Sequence, residues 1–241
     1  MKSLNYQGGM KPDYDDIHIQ QLYLLRYAFS YAFEYKNMFD NLFAREKFAD
    51  RIEVASIGCG NMIDYWALVE ALREVNNAAN IFEHTSQLVS NIYIFPKSIS
   101  EFSDKDFEKI CEGFRTKEIV NDKIYILISI RSDEGSMDRD MGRSEKIISA
   151  IRENGFHTKD KSTEFIHLVD EERGIKALDS KFEYPDGAIN TIKELNEKCV
   201  AFLEESENCE EDCSKYLNRW PALKARNIRF QVLAFHREAI V

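Results

Sequence analysis

Apolar residues between 17 and 48 recur at Leu22, Leu25, Phe29, Ala32, Phe39 and Phe43, spacings that share one face of a helix. Tyr23, Tyr27, Tyr31 and Tyr35 form a second stripe, each four residues after the last. Such a stripe can stack on a ring, but it more often packs a helix against its neighbours. The pattern then changes. Residues 52–57, Ile-Glu-Val-Ala-Ser-Ile, are rich in β-branched side chains and predict a strand. Ile63, Trp66, Ala67, Val69, Leu72 and Val75 predict a helix after it. Residues 81–89 read as one short helix. A buried strand follows at 91–95, closed by Pro96, and then a helix over 102–114 with Ser103 as its N-cap. Residues 123–130 are the most apolar strand, as expected at the centre of a parallel sheet. A helix over 144–153 ends at Asn154-Gly155.

The last third reads as a strand at 165–169, a helix over 187–205 and a final strand at 228–235. The helix carries Ile189, Ile192, Leu195, Cys199 and Phe202 on one face. Repeated β-α units predict an α/β fold: a Rossmann-like, mostly parallel sheet flanked by helices, closed by a final strand at the C-terminus. The organisation expected is an N-terminal helical extension over 1–50 and an α/β domain over 51–241, whose own C-terminal extension starts near residue 180.

Composition narrows the picture. Of 241 residues 44% are apolar and 31% charged, so the chain can build a core and is not disordered throughout. The formal net charge of −10 opposes binding to a phosphate backbone. Arg219, Lys224, Arg226, Arg229 and Arg237 form a local basic cluster, which keeps nucleic acid possible but not favoured. Residues 1–14 are polar with no signal-like apolar stretch, and no apolar run spans a bilayer. With five cysteines unevenly placed, the expectation is a reduced, cytoplasmic protein with no membrane association.

The candidate chemistry lies in the turn between the first strand and its helix, Ser56-Ile57-Gly58-Cys59-Gly60-Asn61. A glycine turn lets the backbone approach a ligand, and the helix N-terminus offers free N–H groups. Dinucleotide-binding turns use G-x-G-x-x-G, and here Ile63 stands where the third glycine is needed, which disfavours an NAD-linked oxidoreductase. The run Val54 to Asn61 resembles instead the first motif of class I S-adenosylmethionine-dependent methyltransferases, an acidic residue followed by G-x-G-x-G. Ser56 stands at the acid and Met62 at the third glycine. The resemblance implies an S-adenosylmethionine-dependent methyltransferase that binds its cofactor through Ser56, Gly58, Cys59, Gly60, Asn61 and Asp64. Asp64 or Asn61 is the candidate to supply the polar group that the motif places at Ser56. The resemblance also implies that Lys97 and Ser98, after the next strand, contact the methyl acceptor, itself unknown.

In that family a further strand and helix precede the strand matching 91–95, and an acid after the second strand holds the ribose. Here only residues 76–90 are available, with Glu83 the candidate acid. Either the sheet is cut down or a segment is missing. These departures support the alternative, a non-catalytic Rossmann-like module that binds a partner and has lost full cofactor binding. By the strand-end rule Ser129, Arg131 and Asp133 are further candidates. Cys199, Cys209 and Cys213, with His236, outline a possible zinc site, although their spacing is not that of a zinc knuckle and Cys199 falls on an apolar face.

Overall fold

The computed structural model describes residues 17–48, 52–58, 60, 62–75, 79–81, 87–131, 134–169, 175–176, 194, 224–225 and 227–237. In chain order these form α1 (Ile17–Arg45), β1 (Ile52–Ser56), α2 (Ile63–Val75), β2 (Ala79–Ile81), β3 (Ile92–Phe95), α3 (Asp104–Thr116), β4 (Lys123–Ile130), α4 (Glu134–Glu153), β5 (Phe156–His157), β6 (Ile166–Val169), β7 (Ile175–Lys176), β8 (Lys224–Ala225) and β9 (Asn227–Arg237). The main sheet has seven strands in the order β2-β1-β3-β4-β9-β5, with β6 also paired to β9. β2, β1, β3 and β4 are mutually parallel. The fold is the mostly parallel, Rossmann-like α/β sheet that the alternation predicts. Among the described residues no helix is long and apolar enough to cross a membrane.

Period-2 alternation divides the core in two. Ile52 and Val54 of β1, Ile92 and Ile94 of β3, Tyr125 and Leu127 of β4, and Phe230 and Val232 of β9 pack with α1 and α2. Tyr93, Phe95, Ile124, Ile126, Ile128, Leu233 and Phe235 point the other way, against α3 and α4. β4 is buried on both faces, which is why its sequence is continuously apolar. Ser103 caps α3, its hydroxyl accepting from the Asp106 backbone N–H at 3.1 Å.

Two elements differ from the sequence reading, and a third, β9, takes a direction that the reading left open. β9 runs antiparallel to β4 along the whole of β4. Alternation reports which side chains face the core, and says nothing of strand direction. Of the residues expected in a helix over 81–89, Ile81 ends the strand Ala79–Ile81 beside β1, Leu88 makes a parallel bridge to Ile119, and 82–86 lie outside the described residues. α4 starts at Glu134, well before 144, because its first half is too polar to show a periodic face. The helix expected over 187–205 lies outside the described residues, apart from Glu194 within a helical turn.

The far side of β9 is covered in pieces. β6 pairs with Asn227–Phe230 and β5 with His236 and Arg237. Between them the Asp160 carboxylate accepts from the Ala234 N–H at 2.7 Å, and the Gln231 amide donates to the carbonyls of Ser162 and Glu164 at 2.6 and 3.0 Å.

Candidate functional site at the carboxyl end of β1

β1 lies between β2, which follows it, and β3, so the chain moves outward on both sides of the β1–β3 crevice. In open α/β sheets this switch point is where ligands bind. Two loops meet there, the glycine turn after β1 and the Pro96–Ser103 loop after β3.

The turn enters the left-handed region at three described positions, with φ of +83° at Gly58, +50° at Gly60 and +59° at Met62. Gly58 is required twice over. Its φ disfavours side chains, and a Cβ there would stand 2.6 Å from Ser98 Cβ. Gly60 is required by its φ alone, since nothing lies within 4 Å of a Cβ built on it. Met62, at the position of the third glycine in the resembled motif, holds a left-handed backbone at a strain of about 1 kcal/mol or more.

Beside the turn is a cavity of about 680 Å³, a size suited to a cofactor. β1 and α2 line one side and α3 the other, with Met62 and Tyr65 both lining it and largely exposed. Most of its walls are apolar. Three polar atoms in the lining, Ser56 Oγ, Asp64 Oδ1 and Tyr93 Oη, are buried without a hydrogen-bond partner. Buried polar atoms are ordinarily paired, so these three are open to water or to a ligand. Asp64 is only 3% exposed. Burial pushes its carboxyl above the ordinary range.

The loop after β3 is held at several points, although its Ser100 hydroxyl is buried without a partner. The Ser98 hydroxyl donates to the Ile57 carbonyl at 2.5 Å and so braces the glycine turn. Lys97, itself at φ +51°, places its ammonium 2.7 Å from Glu34 Oε1 of α1 and 5.6 Å from the Tyr31 ring centre. The Ser129 hydroxyl at the end of β4 donates to the same Glu34 oxygen. Arg143 of α4 reaches over to the carbonyls of Ile99 and Phe102 at 2.6 and 3.0 Å and to Asp104 at 2.6 Å. The Arg131 backbone N–H donates to Asp140 at 2.8 Å.

Of the residues singled out from sequence, the structure brings Ser56, Gly58, Gly60 and Asp64 together at the turn. It puts Ser98 against them and Lys97 on the far side of the loop, facing α1. Cys59, Asn61, Glu83 and Asp133 lie outside the described residues, as do Cys199, Cys209 and Cys213. Among the described residues no group of side chains could hold a metal ion, and His236 is an exposed residue of β9. The tyrosine stripe stacks largely on itself, Tyr27 against Tyr31 at 4.9 Å and 12°, and Tyr35 is buried in the core. Glu34 and Tyr93 were not singled out from sequence. Glu34 falls inside an amphipathic helix and Tyr93 inside an apolar strand, so neither position carries a signal. No protein-family model matches the chain, and no curated protein matches it with significant similarity.

Proposed function

We propose that the chain is an S-adenosylmethionine-dependent methyltransferase. The observation that carries this reading is the left-handed glycine turn at the β1–β3 switch point, opening on a cavity of about 680 Å³ with unpaired polar atoms. The residues present fit such a cofactor. The turn gives backbone access at Gly58 and Gly60, Ser56 and Asp64 offer polar contacts for an amino-acid end, and the apolar walls suit the nucleoside. When bound, the sulfonium supplies an already activated methyl group. The chain therefore needs only to orient it and to exclude water. Ile57 and Phe102 offer an apolar wall for that purpose.

One observation favours the alternative, a non-catalytic partner-binding module. Lys97 and Ser98, the residues expected to meet an acceptor, are held by Glu34 and by the Ile57 carbonyl. Titration calorimetry with S-adenosylmethionine and S-adenosylhomocysteine tests the cofactor reading. Heat of binding at micromolar to low millimolar ligand supports it, and no response in calorimetry or thermal shift refutes it. If binding is found, release of S-adenosylhomocysteine in the presence of candidate acceptors separates the enzyme from the module.

A further inference from the structure

The cavity beside the glycine turn reaches further than a switch-point site requires. Ligands at a switch point lie beyond the carboxyl ends of the strands. This cavity starts there, at Ser56 and Ile57, and continues down the α3 face of the sheet to Ser90, ahead of the amino end of β3. Leu88, held to Glu118 and Val120 by backbone hydrogen bonds of 2.9 and 3.1 Å, lines that far end. One stripe of α3 follows the cavity throughout, from Asp106 through Ile110 and Gly113 to Lys117 just past the helix. At the rise of a helix the stripe is about 16 Å long.

Two features make room in the lower part, away from the turn. Ile52 and Val54 of β1 are buried under α1 and α2, whereas Ala55 and Ile57, on the α3 side, stay partly exposed. On the facing helix, a Cβ built on Gly113 meets nothing within 4 Å. Glycine inside a helix is unfavourable relative to alanine, and no close contact demands it here. What its missing side chain leaves is space in the cavity.

The polarity of the lower part is as uneven as its shape. Val89, Ile110 and Phe114 give it apolar walls. Asp106 and Lys109 pair with each other at 2.9 Å and are both well exposed, so their charges sit at the rim. Tyr93 is 2% exposed, its ring set edge-on to Phe114 at 5.2 Å, and its hydroxyl is buried without a hydrogen-bond partner. Burial raises the pKa of that hydroxyl, so it stays protonated and able to donate. A charged ligand group would be desolvated here against a neutral partner, whereas an uncharged oxygen would be satisfied by one hydrogen bond.

We propose that the lower part of the cavity is a second binding compartment, which takes an elongated, uncharged, apolar molecule whose single oxygen accepts from Tyr93. It stands beside the nucleoside site of the reading above and does not depend on it.

Fluorescence titration of the full chain with N-phenylnaphthylamine, an apolar dye without oxygen, measures entry to the compartment, and displacement by decanol and by decanoate measures the preferred head group. The dye should bind the wild type, and decanol should displace it at lower concentration than decanoate. Gly113→Leu fills the space and should weaken dye and decanol about tenfold or more, with a melting temperature equal to or above that of the wild type. Tyr93→Phe should weaken decanol severalfold and leave the dye within about twofold. S-adenosylhomocysteine should leave the dye in place. No dye binding, or wild-type dye affinity in Gly113→Leu, overturns the proposal. Displacement of the dye by S-adenosylhomocysteine overturns it as well, since the cavity is then one site. Decanol binding that survives Tyr93→Phe unchanged, or tighter binding of decanoate, overturns the chemistry assigned to the ligand. Failure of S-adenosylhomocysteine to bind at all, with the dye and decanol results as expected, refutes the cofactor reading and supports the compartment. If Gly113→Leu does not fold, the comparison of wild type with Tyr93→Phe decides the matter.

Discussion

The two loops that meet at the β1–β3 crevice are built on opposite plans. After β3, Lys97, Ser98 and the carbonyls of Ile99 and Phe102 have partners, and the Ser100 hydroxyl is the buried exception. Lys97 is tied to Glu34, Ser98 to the Ile57 carbonyl, and Arg143 holds the loop at three points. After β1 the backbone is left-handed at three positions, with strain at Met62, and Ser56 and Asp64 carry orphaned polar atoms. The first loop is a brace, while the second leaves hydrogen-bonding capacity at Ser56 and Asp64 unused within the described residues. Strain and unsatisfied groups persist only where neighbouring structure enforces them, and Ser98 is the contact through which one loop supports the other.

Removing the anchor of the brace should have the largest effect. Glu34→Ala strands the Lys97 ammonium, 15% exposed, together with the Ser129 hydroxyl. Breaking a buried pair in this way costs roughly 3 kcal/mol or more, read by urea denaturation. Combining it with Lys97→Met should recover much of that loss. If Glu34→Ala costs nothing measurable, the loop after β3 is not braced from α1.

The contact between the loops comes next. Gly58→Ala should cost about 2–3 kcal/mol, from left-handed strain and from overlap with Ser98. Ser98→Gly in the same chain should return the overlap part and leave the strain. Gly60→Ala has the strain without the overlap and should cost about 1 kcal/mol. Equal costs at the two glycines would mean that Ser98 does not press on the turn.

At Asp64 the sign is opposite. Its carboxyl pKa is raised in the fold, so the folded state holds its proton to higher pH than the unfolded state. The group's contribution to stability is therefore full below the unfolded pKa and is lost as pH rises through the raised one. Asp64→Asn should raise the melting temperature of the ligand-free protein at neutral pH, and the gain should shrink as pH falls into the carboxylate range. A fall in melting temperature at neutral pH would place Asp64 with the brace. The smallest effect belongs to Met62→Gly, which relieves left-handed strain at a largely exposed side chain and should stabilise by about 0.5–1 kcal/mol.

This contrast was only half legible in the sequence. The glycine turn could be read because its requirement is local: Gly58 and Gly60 are conformational necessities written within a few residues. β4 and the Ser103 cap could be read for the same reason, through an apolar run and a hydroxyl just ahead of two acids. The brace could not. Lys97 meets Glu34 across 63 positions of chain, and Arg143 reaches Ile99 across 44. A periodic pattern reveals the face on which a residue lies, but the partner opposite depends on how the helices pack. For that reason Lys97 and Ser98 read as free strand-end groups. The strain at Met62 was hidden too, because methionine gives no hint of a left-handed backbone.

The patchwork along the outer side of β9 has a consequence for the behaviour of the protein in concentrated solution. An eleven-residue strand with one side open would be a template for a second chain. Two short strands cover its ends, and the Asp160 and Gln231 side chains occupy the gap between them. A continuous ladder of free N–H and C=O groups is thereby broken into pieces too short to recruit a neighbour. Asp160 brings a negative charge to the gap, and losing it would reopen the Ala234 N–H. Self-association of Asp160→Ala, rather than any change in ligand binding, is where that loss should first be noticed.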